Sequence, residues 1–156
     1  MSTGILNKPL TYEEERGKPM PSRNHSAVQT NLIGEFLRHK EFRTHSELTL
    51  EINGQPLTPD LSVYPRTPLD LRHDIPRAHN PPLLVVEILS PQQPTQMVMD
   101  KVDIYFAFGV KSCWVVSPTM HSIQILTADG GETVLNSGTA TDPVTGLTAD
   151  LAAVFS

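Results

Sequence analysis

The chain is poor in cysteine, has no long apolar run and carries no surplus of positive charge, and each shortage excludes something. Its one cysteine, Cys113, cannot close an internal disulfide, so a packed core has to hold the fold. The neighbours Trp114, Val115 and Val116 place that thiol on a buried strand, as a small apolar side chain rather than a nucleophile. No apolar stretch approaches the roughly 20 residues that cross a bilayer, and Met1 to Glu15 is polar and acidic instead of signal-like. A soluble, unexported, cytoplasmic protein without membrane contact is the expectation. Lysine and arginine number 12 against 17 aspartates and glutamates, a net charge of -5. That balance argues against a protein that coats nucleic acid with a broad basic surface, while leaving room for a local basic groove. The histidines are scattered without metal-ligand spacing, so a zinc site is not expected, and His25 reads as a capping or packing residue at a helix start.

What is present fits one small α/β domain. With 156 residues, 38% of them apolar, the chain can bury a core of its own. Residues 1–24 hold Pro9, Gly17, Pro19 and Pro21 around the acidic stretch Tyr12 to Arg16 and read as an N-terminal extension with a short helix. The domain proper is expected over 25–156. From His25 to His39, Ala27, Val28, Leu32, Ile33, Phe36 and Leu37 recur at helical spacing. Leu48, Leu50 and Ile52 then alternate with polar residues, Asn53-Gly54 offers a tight turn, and Leu61, Val63 and Tyr64 follow Pro59-Asp60, which predicts an added β-hairpin beside a further strand. The proline-rich stretch from Pro65 to Pro82 reads as a long surface loop. Thr95 to Phe108 is predicted helical and stopped by Gly109, with a strand at Cys113 to Val116 and a hairpin from Ile123 to Leu135 after it. The tail is turn-rich until Leu151 to Phe155.

Leu83 to Leu89 is apolar throughout except for Glu87, the pattern of a central strand covered on both faces. A carboxylate stripped of water costs several kcal/mol unless a cation, a metal or hydrogen-bond donors compensate. Glu87 therefore needs a partner. Asp60 opens a second strand, and if the two strands are neighbours their carboxylates present oxygens toward one point, which suits a hard cation. Lys101, on the following helix, supplies an ammonium beside an attacking water if that helix packs back across the strand end. Plainer readings stand beside these. Asp60 can cap a turn after Pro59, Glu87 can pair with an arginine such as Arg43 or Arg66, and Lys101 can be a solvated helix lysine next to Asp100 and Asp103. Glu35 is a further carboxylate on the first helix, read as part of a solvated face.

Pro59-Asp60, then Glu87-Ile88-Leu89-Ser90-Pro91, then Lys101, Tyr105, Gly109-Val110 and Trp114 together resemble the Uma2 family of restriction-endonuclease-like proteins. That family looks like a branch of the PD-(D/E)XK nucleases in which the lysine has moved from the strand to the following helix, and Leu89 stands where the strand lysine would be. The resemblance runs from about Tyr12 to Pro118. It implies a mixed central β-sheet flanked by helices. It also implies that Asp60 and Glu87 bind Mg2+ or Mn2+ while Lys101 serves a metal-bound water in phosphodiester hydrolysis, with Ser90 touching the metal or capping the helix and Tyr105, Gly109 and Trp114 structural. Nucleic acid, DNA first, is the implied substrate and a homodimer the implied assembly. Two positions depart from the pattern: Met97 stands four residues before Lys101 and Ser117 before Pro118, each where an acid is usual, and Asp100 points elsewhere on the helix. A second reading follows from these departures and the acidic charge, a catalytically impaired member that serves as a nucleic-acid or protein binding and assembly module. Charge separates the two, because a nuclease is expected to gather cations such as Arg38, Lys40, Arg43, Arg66, Arg72, Arg77 or Lys111 around the acids.

Overall fold

The computed structural model describes residues 9–16 and 18–156. In chain order the elements are α1 (Tyr12–Arg16), α2 (Arg23–Phe36), β1 (Phe42–Ser46), β2 (Leu50–Ile52), β3 (Gln55–Leu57), β4 (Leu61–Pro65), β5 (Leu84–Ile88), α3 (Thr95–Phe108), β6 (Ser112–Ser117), β7 (Ser122–Thr127), β8 (Glu132–Leu135), β9 (Thr139–Thr141), β10 (Thr148–Asp150) and α4 (Leu151–Val154). Six strands form one mixed sheet in the order β1-β4-β5-β6-β7-β8. Only β5 and β6 run parallel, and α3 connects them; the other neighbours are antiparallel. The expected mixed sheet flanked by helices is what the chain forms. No helix of the described residues is long and apolar enough to cross a membrane.

Strand periodicity sorts the core into two layers. Leu84, Val86 and Ile88 of β5 face α2 and pack with Val28, Leu32, Phe36, Leu61, Val63 and Trp114. The Phe36 ring meets Trp114 edge to face, with centroids 5.2 Å apart. Val85 of β5 faces the other way, toward α3, with Val98, Val102, Tyr105, Cys113 and Val115. Each fully buried Val, Leu or Ile contributes about 1.5–3 kcal/mol, so both layers hold β5 firmly in place. Cys113 is the buried, apolar-neighboured thiol its sequence context indicates, and burial pushes its pKa up.

Local chemistry sets the ends of the elements. Ser22 Oγ accepts from the backbone N–H of His25, so α2 begins two residues before the apolar periodicity does. Gly109 closes α3 in the left-handed conformation, φ 119°, with its N–H directed to Tyr105 and Phe106 carbonyls. Asn53 and Gly54, at φ 52° and 77°, turn the β2–β3 hairpin, which stands apart from the main sheet as expected. Residues 66–82 contain no strand or helix, and Ala78 makes a single bridge to Leu50. β1 carries no strand signal in the sequence, because Phe42–Ser46 is a half-buried edge strand whose Arg-Thr-His centre lacks an apolar alternation. The short antiparallel pair β9–β10 likewise forms within the tail expected to be turn-rich.

Candidate active site

The register brings the two acids together. Leu61 of β4 pairs with Val86 of β5, and continuing the antiparallel ladder by one residue sets Asp60 opposite Glu87. Glu87, two residues after Val85, points to the α3 side of the sheet, where Tyr105 and Lys101 also lie. Sequence positions Asp60, Glu87 and Lys101 thus converge, at relative exposures of 0%, 2% and 6%.

Asp60 is fixed first by the backbone: the N–H of Ile88 donates to Oδ2 at 2.6 Å. Its other oxygen, Oδ1, faces two cations, Lys18 Nζ at 2.8 Å and Arg16 Nη2 at 3.0 Å, and the ring nitrogen His25 Nε2 at 3.2 Å. Burial alone would raise the Asp60 pKa, but the Lys18 charge and the His25 hydrogen bond outweigh it and hold the carboxyl well below its ordinary range. Glu87 Oε1 lies 3.0 Å from the same Lys18 ammonium and 3.8 Å from Lys101 Nζ, while Oε2 accepts from the Tyr105 hydroxyl at 2.9 Å. Burial alone would lower the Lys18 pKa, yet Glu87 and Asp60 carry it above the usual lysine value. For Lys101 burial wins, and its pKa is lowered despite Glu87. The Tyr105 hydroxyl is pushed well up by burial and by the neighbouring Glu87 charge. Lys101 Nζ is buried and has no hydrogen-bond partner among the described residues.

Arg16 and Lys18 are the residues that sequence reasoning missed. Arg16, at the end of α1, and Lys18, just after it, reach the acids at exposures of only 1% and 6%, so the packed structure begins before His25, where the periodicity started. Arg16 also approaches Glu47 Oε1 to 2.7 Å through Nε, a charge contact without hydrogen-bond alignment, and donates from Nη1 to the Pro19 carbonyl at 2.6 Å. The cluster is close to charge balance, with Arg16, Lys18 and Lys101 facing Asp60, Glu87 and Glu47. This is how buried charge becomes tolerable.

Other candidates fall elsewhere. The Arg43 guanidinium donates to the Thr67 carbonyl, and Arg66 and Lys111 flank the opposite ends of β4 and β5 from Asp60 and Glu87, so neither Arg43 nor Arg66 is the partner of Glu87. Arg77 pairs with Glu51 and Arg38 with Glu35. Glu35 accepts from the Asp150 N–H at 2.8 Å and ties α2 to the C-terminal segment instead of joining the acids. Ser90 does not cap α3, whose N-cap is Pro94 without a side-chain bond, and its buried Oγ has no partner. Met97 is half exposed one turn before Lys101, Asp100 accepts from Gln96, and Ser117 Oγ accepts from the Met120 N–H. His25 does more than pack at a helix start, since Asp60 is within its reach.

Two carboxylates from neighbouring strands aimed at one cation are a donor set that fits magnesium or manganese, which need one or two protein carboxylates and otherwise take water and phosphate oxygens. Among the described residues no group of three or more His, Cys, Asp or Glu side chains is arranged to hold a metal, and Asp60 and Glu87 stand as a pair of carboxylates. A cleft of about 290 Å³ opens at the carboxyl ends of the parallel strands β5 and β6, lined by Arg23, Asn24, His25, Leu89 and Pro118; neither acid lines it, and His25 is the lining residue that reaches Asp60. Ligands of open α/β sheets bind at that end of parallel strands.

Comparisons with known proteins agree with this architecture. The chain has the fold of a solved structure described as a putative nuclease belonging to DUF820 from Anabaena variabilis, with a TM-score of 0.75 at 23% identity over 97% of this chain and 94% of that one. No curated protein matches. Residues 13–152 match the sequence profile of the Uma2 family, described as "Putative restriction endonuclease", a span that takes in Arg16, Lys18, Asp60, Glu87 and Lys101 alike. With that much of its length matched, the chain belongs to the Uma2 family.

Proposed function

We propose that the protein is a metal-dependent endonuclease that hydrolyses phosphodiester bonds in nucleic acid, DNA first, with Asp60 and Glu87 as the ligands of Mg2+ or Mn2+ and Lys101 as the catalytic cation. The observation that carries this reading is the convergence of two buried carboxylates on a single cation position, with the ammonium of Lys101 3.8 Å from Glu87 and without a hydrogen bond among the described residues. A bound divalent ion supplies Lewis acidity toward a phosphoryl oxygen and lowers the pKa of water. The chain's own residues do the rest. The Ile88 N–H and the Tyr105 hydroxyl hold one oxygen each of Asp60 and Glu87, so the opposite oxygens stay aimed at the cation. Lys101 has donors to spare for the attacking water and for the charge that develops on the phosphate as one P–O bond forms to water and one breaks to the leaving sugar oxygen. Its lowered pKa eases the passage of a proton through Nζ. Cutting both strands of a duplex needs two such sites, which a homodimer provides.

A second reading, a non-catalytic binding or assembly module, is favoured by Met97, which leaves the turn before Lys101 without an acid. Cleavage of supercoiled plasmid and single-stranded DNA with Mg2+ or Mn2+ separates the two. Glu87→Gln should abolish cutting, and Lys101→Ala should slow it by about 10²–10³-fold, the scale for removing one transition-state charge contact. Cutting that survives Glu87→Gln overturns the assignment, and metal-independent silence of the wild type favours the module.

A further inference from the structure

Lys18 stands where a divalent cation would have to stand. Its Nζ is 2.8 Å from Asp60 Oδ1 and 3.0 Å from Glu87 Oε1. An ion held by those two oxygens would sit about 2.0–2.1 Å from each if it is magnesium. An ammonium and a dication cannot share that space. We propose that Lys18 is a built-in counter-ion that competes with the metal, so that the segment carrying it is an autoinhibitory strap which withdraws when the site is loaded. The proposal rests on the reading of Asp60 and Glu87 as metal ligands.

The way the strap is attached supports its withdrawal. Leu10, Tyr12 and Met20 are about half exposed, at 51%, 49% and 51%, so the large apolar side chains around Lys18 contribute little burial. The buried attachments are charged: Lys18 to both acids, and Arg16 to Asp60 and Glu47. A dication at the acids replaces those attachments with stronger ones of the same kind, whereas an apolar anchor would be indifferent to it. Lys101 is placed differently. It approaches Glu87 alone, at 3.8 Å, and leaves the shared position clear.

The test is Mn2+ binding to the full chain by isothermal titration calorimetry, comparing wild type with Lys18→Met and with the charge-keeping Lys18→Arg, and with Glu87→Gln as the control that removes a ligand. If Lys18 fills the position at least nine-tenths of the time, its removal tightens apparent Mn2+ affinity about tenfold or more. Lys18→Arg should stay as weak as wild type. A second readout needs no variant: acylation of Lys18 by an amine reagent, followed by peptide mass spectrometry, should be slow for the metal-free protein and accelerate several-fold with Mn2+. This decides the matter alone if Lys18→Met does not fold. Equal or weaker Mn2+ binding by Lys18→Met, or Lys18 labelling unchanged under saturating Mn2+, overturns the strap and leaves the nuclease reading standing. Absence of Mn2+ uptake by both wild type and Lys18→Met overturns the two together.

Discussion

Consider Asp60→Asn, a nearly isosteric change that removes one negative charge from the cluster. Where two carboxylates face each other without compensation, neutralising one relieves repulsion and stabilises the fold. Here the sign should reverse. Asp60 Oδ1 receives Lys18 at 2.8 Å, Arg16 at 3.0 Å and His25 at 3.2 Å, all with side chains at most 2% exposed. Removing one partner of a buried pair costs about 3–5 kcal/mol, because the other charge stays behind unpaired. Asparagine keeps an oxygen for the Ile88 N–H, so the lower end, about 3 kcal/mol, is expected. For a chain of this size that corresponds to a drop of about 6–12 °C in melting temperature. The assay is thermal unfolding by circular dichroism at pH 7 with chelator present. A double-mutant cycle with Lys18→Met should then return a coupling of about 1–3 kcal/mol. A melting temperature for Asp60→Asn at or above that of the wild type would refute the reasoning, since it would mean the acids lack these cations in solution.

The remaining predictions concern pH and the support of Glu87. Asp60 has its folded pKa below its unfolded value, so its contribution is complete above roughly pH 4 and is lost as pH falls further. Melting temperature should therefore fall more steeply from pH 5 to pH 3 in wild type than in Asp60→Asn, and parallel curves would contradict it. Lys18 has its folded pKa raised, so its contribution is complete below roughly pH 10 and is lost as pH rises through the folded value; Lys18→Met should flatten the alkaline limb. Tyr105→Phe removes the hydroxyl that donates to Glu87 Oε2 at 2.9 Å and leaves a buried carboxylate oxygen unsatisfied. A loss of about 1–3 kcal/mol in urea unfolding is expected, and an unchanged midpoint would show that Glu87 does not depend on it.

The parts of this architecture that were legible in the sequence are those whose cause is local. The helix Thr95–Phe108 could be read to the residue because Val98, Val102 and Tyr105 repeat at helical spacing and Gly109 supplies the left-handed stop. Glu87 stood out because a single acid interrupts an apolar strand, and Asp60 because it opens the next one. The cations that make these acids tolerable were not legible, since Arg16 pairs across 44 residues with Asp60 and Lys18 across 69 with Glu87. No periodicity connects positions so far apart, and a lysine in a proline-rich stretch has the composition of solvated loop. The need itself was visible, for two buried acids demand positive charge, but Arg43 and Arg66 were equally plausible suppliers until the register placed them away from the acids. The proposed metal site would explain why the need is met twice. A pocket built to hold a dication carries surplus negative charge whenever it is empty, and that charge opposes folding unless something neutralises it. Lys101, 3.8 Å from Glu87 and without a hydrogen bond to it, offsets only part of that charge. On the proposed reading, Lys18 bridges both acids, with Arg16 beside it on Asp60, from a segment that withdraws on metal binding, which would let the same carboxylates be stable before the metal arrives and available when it does.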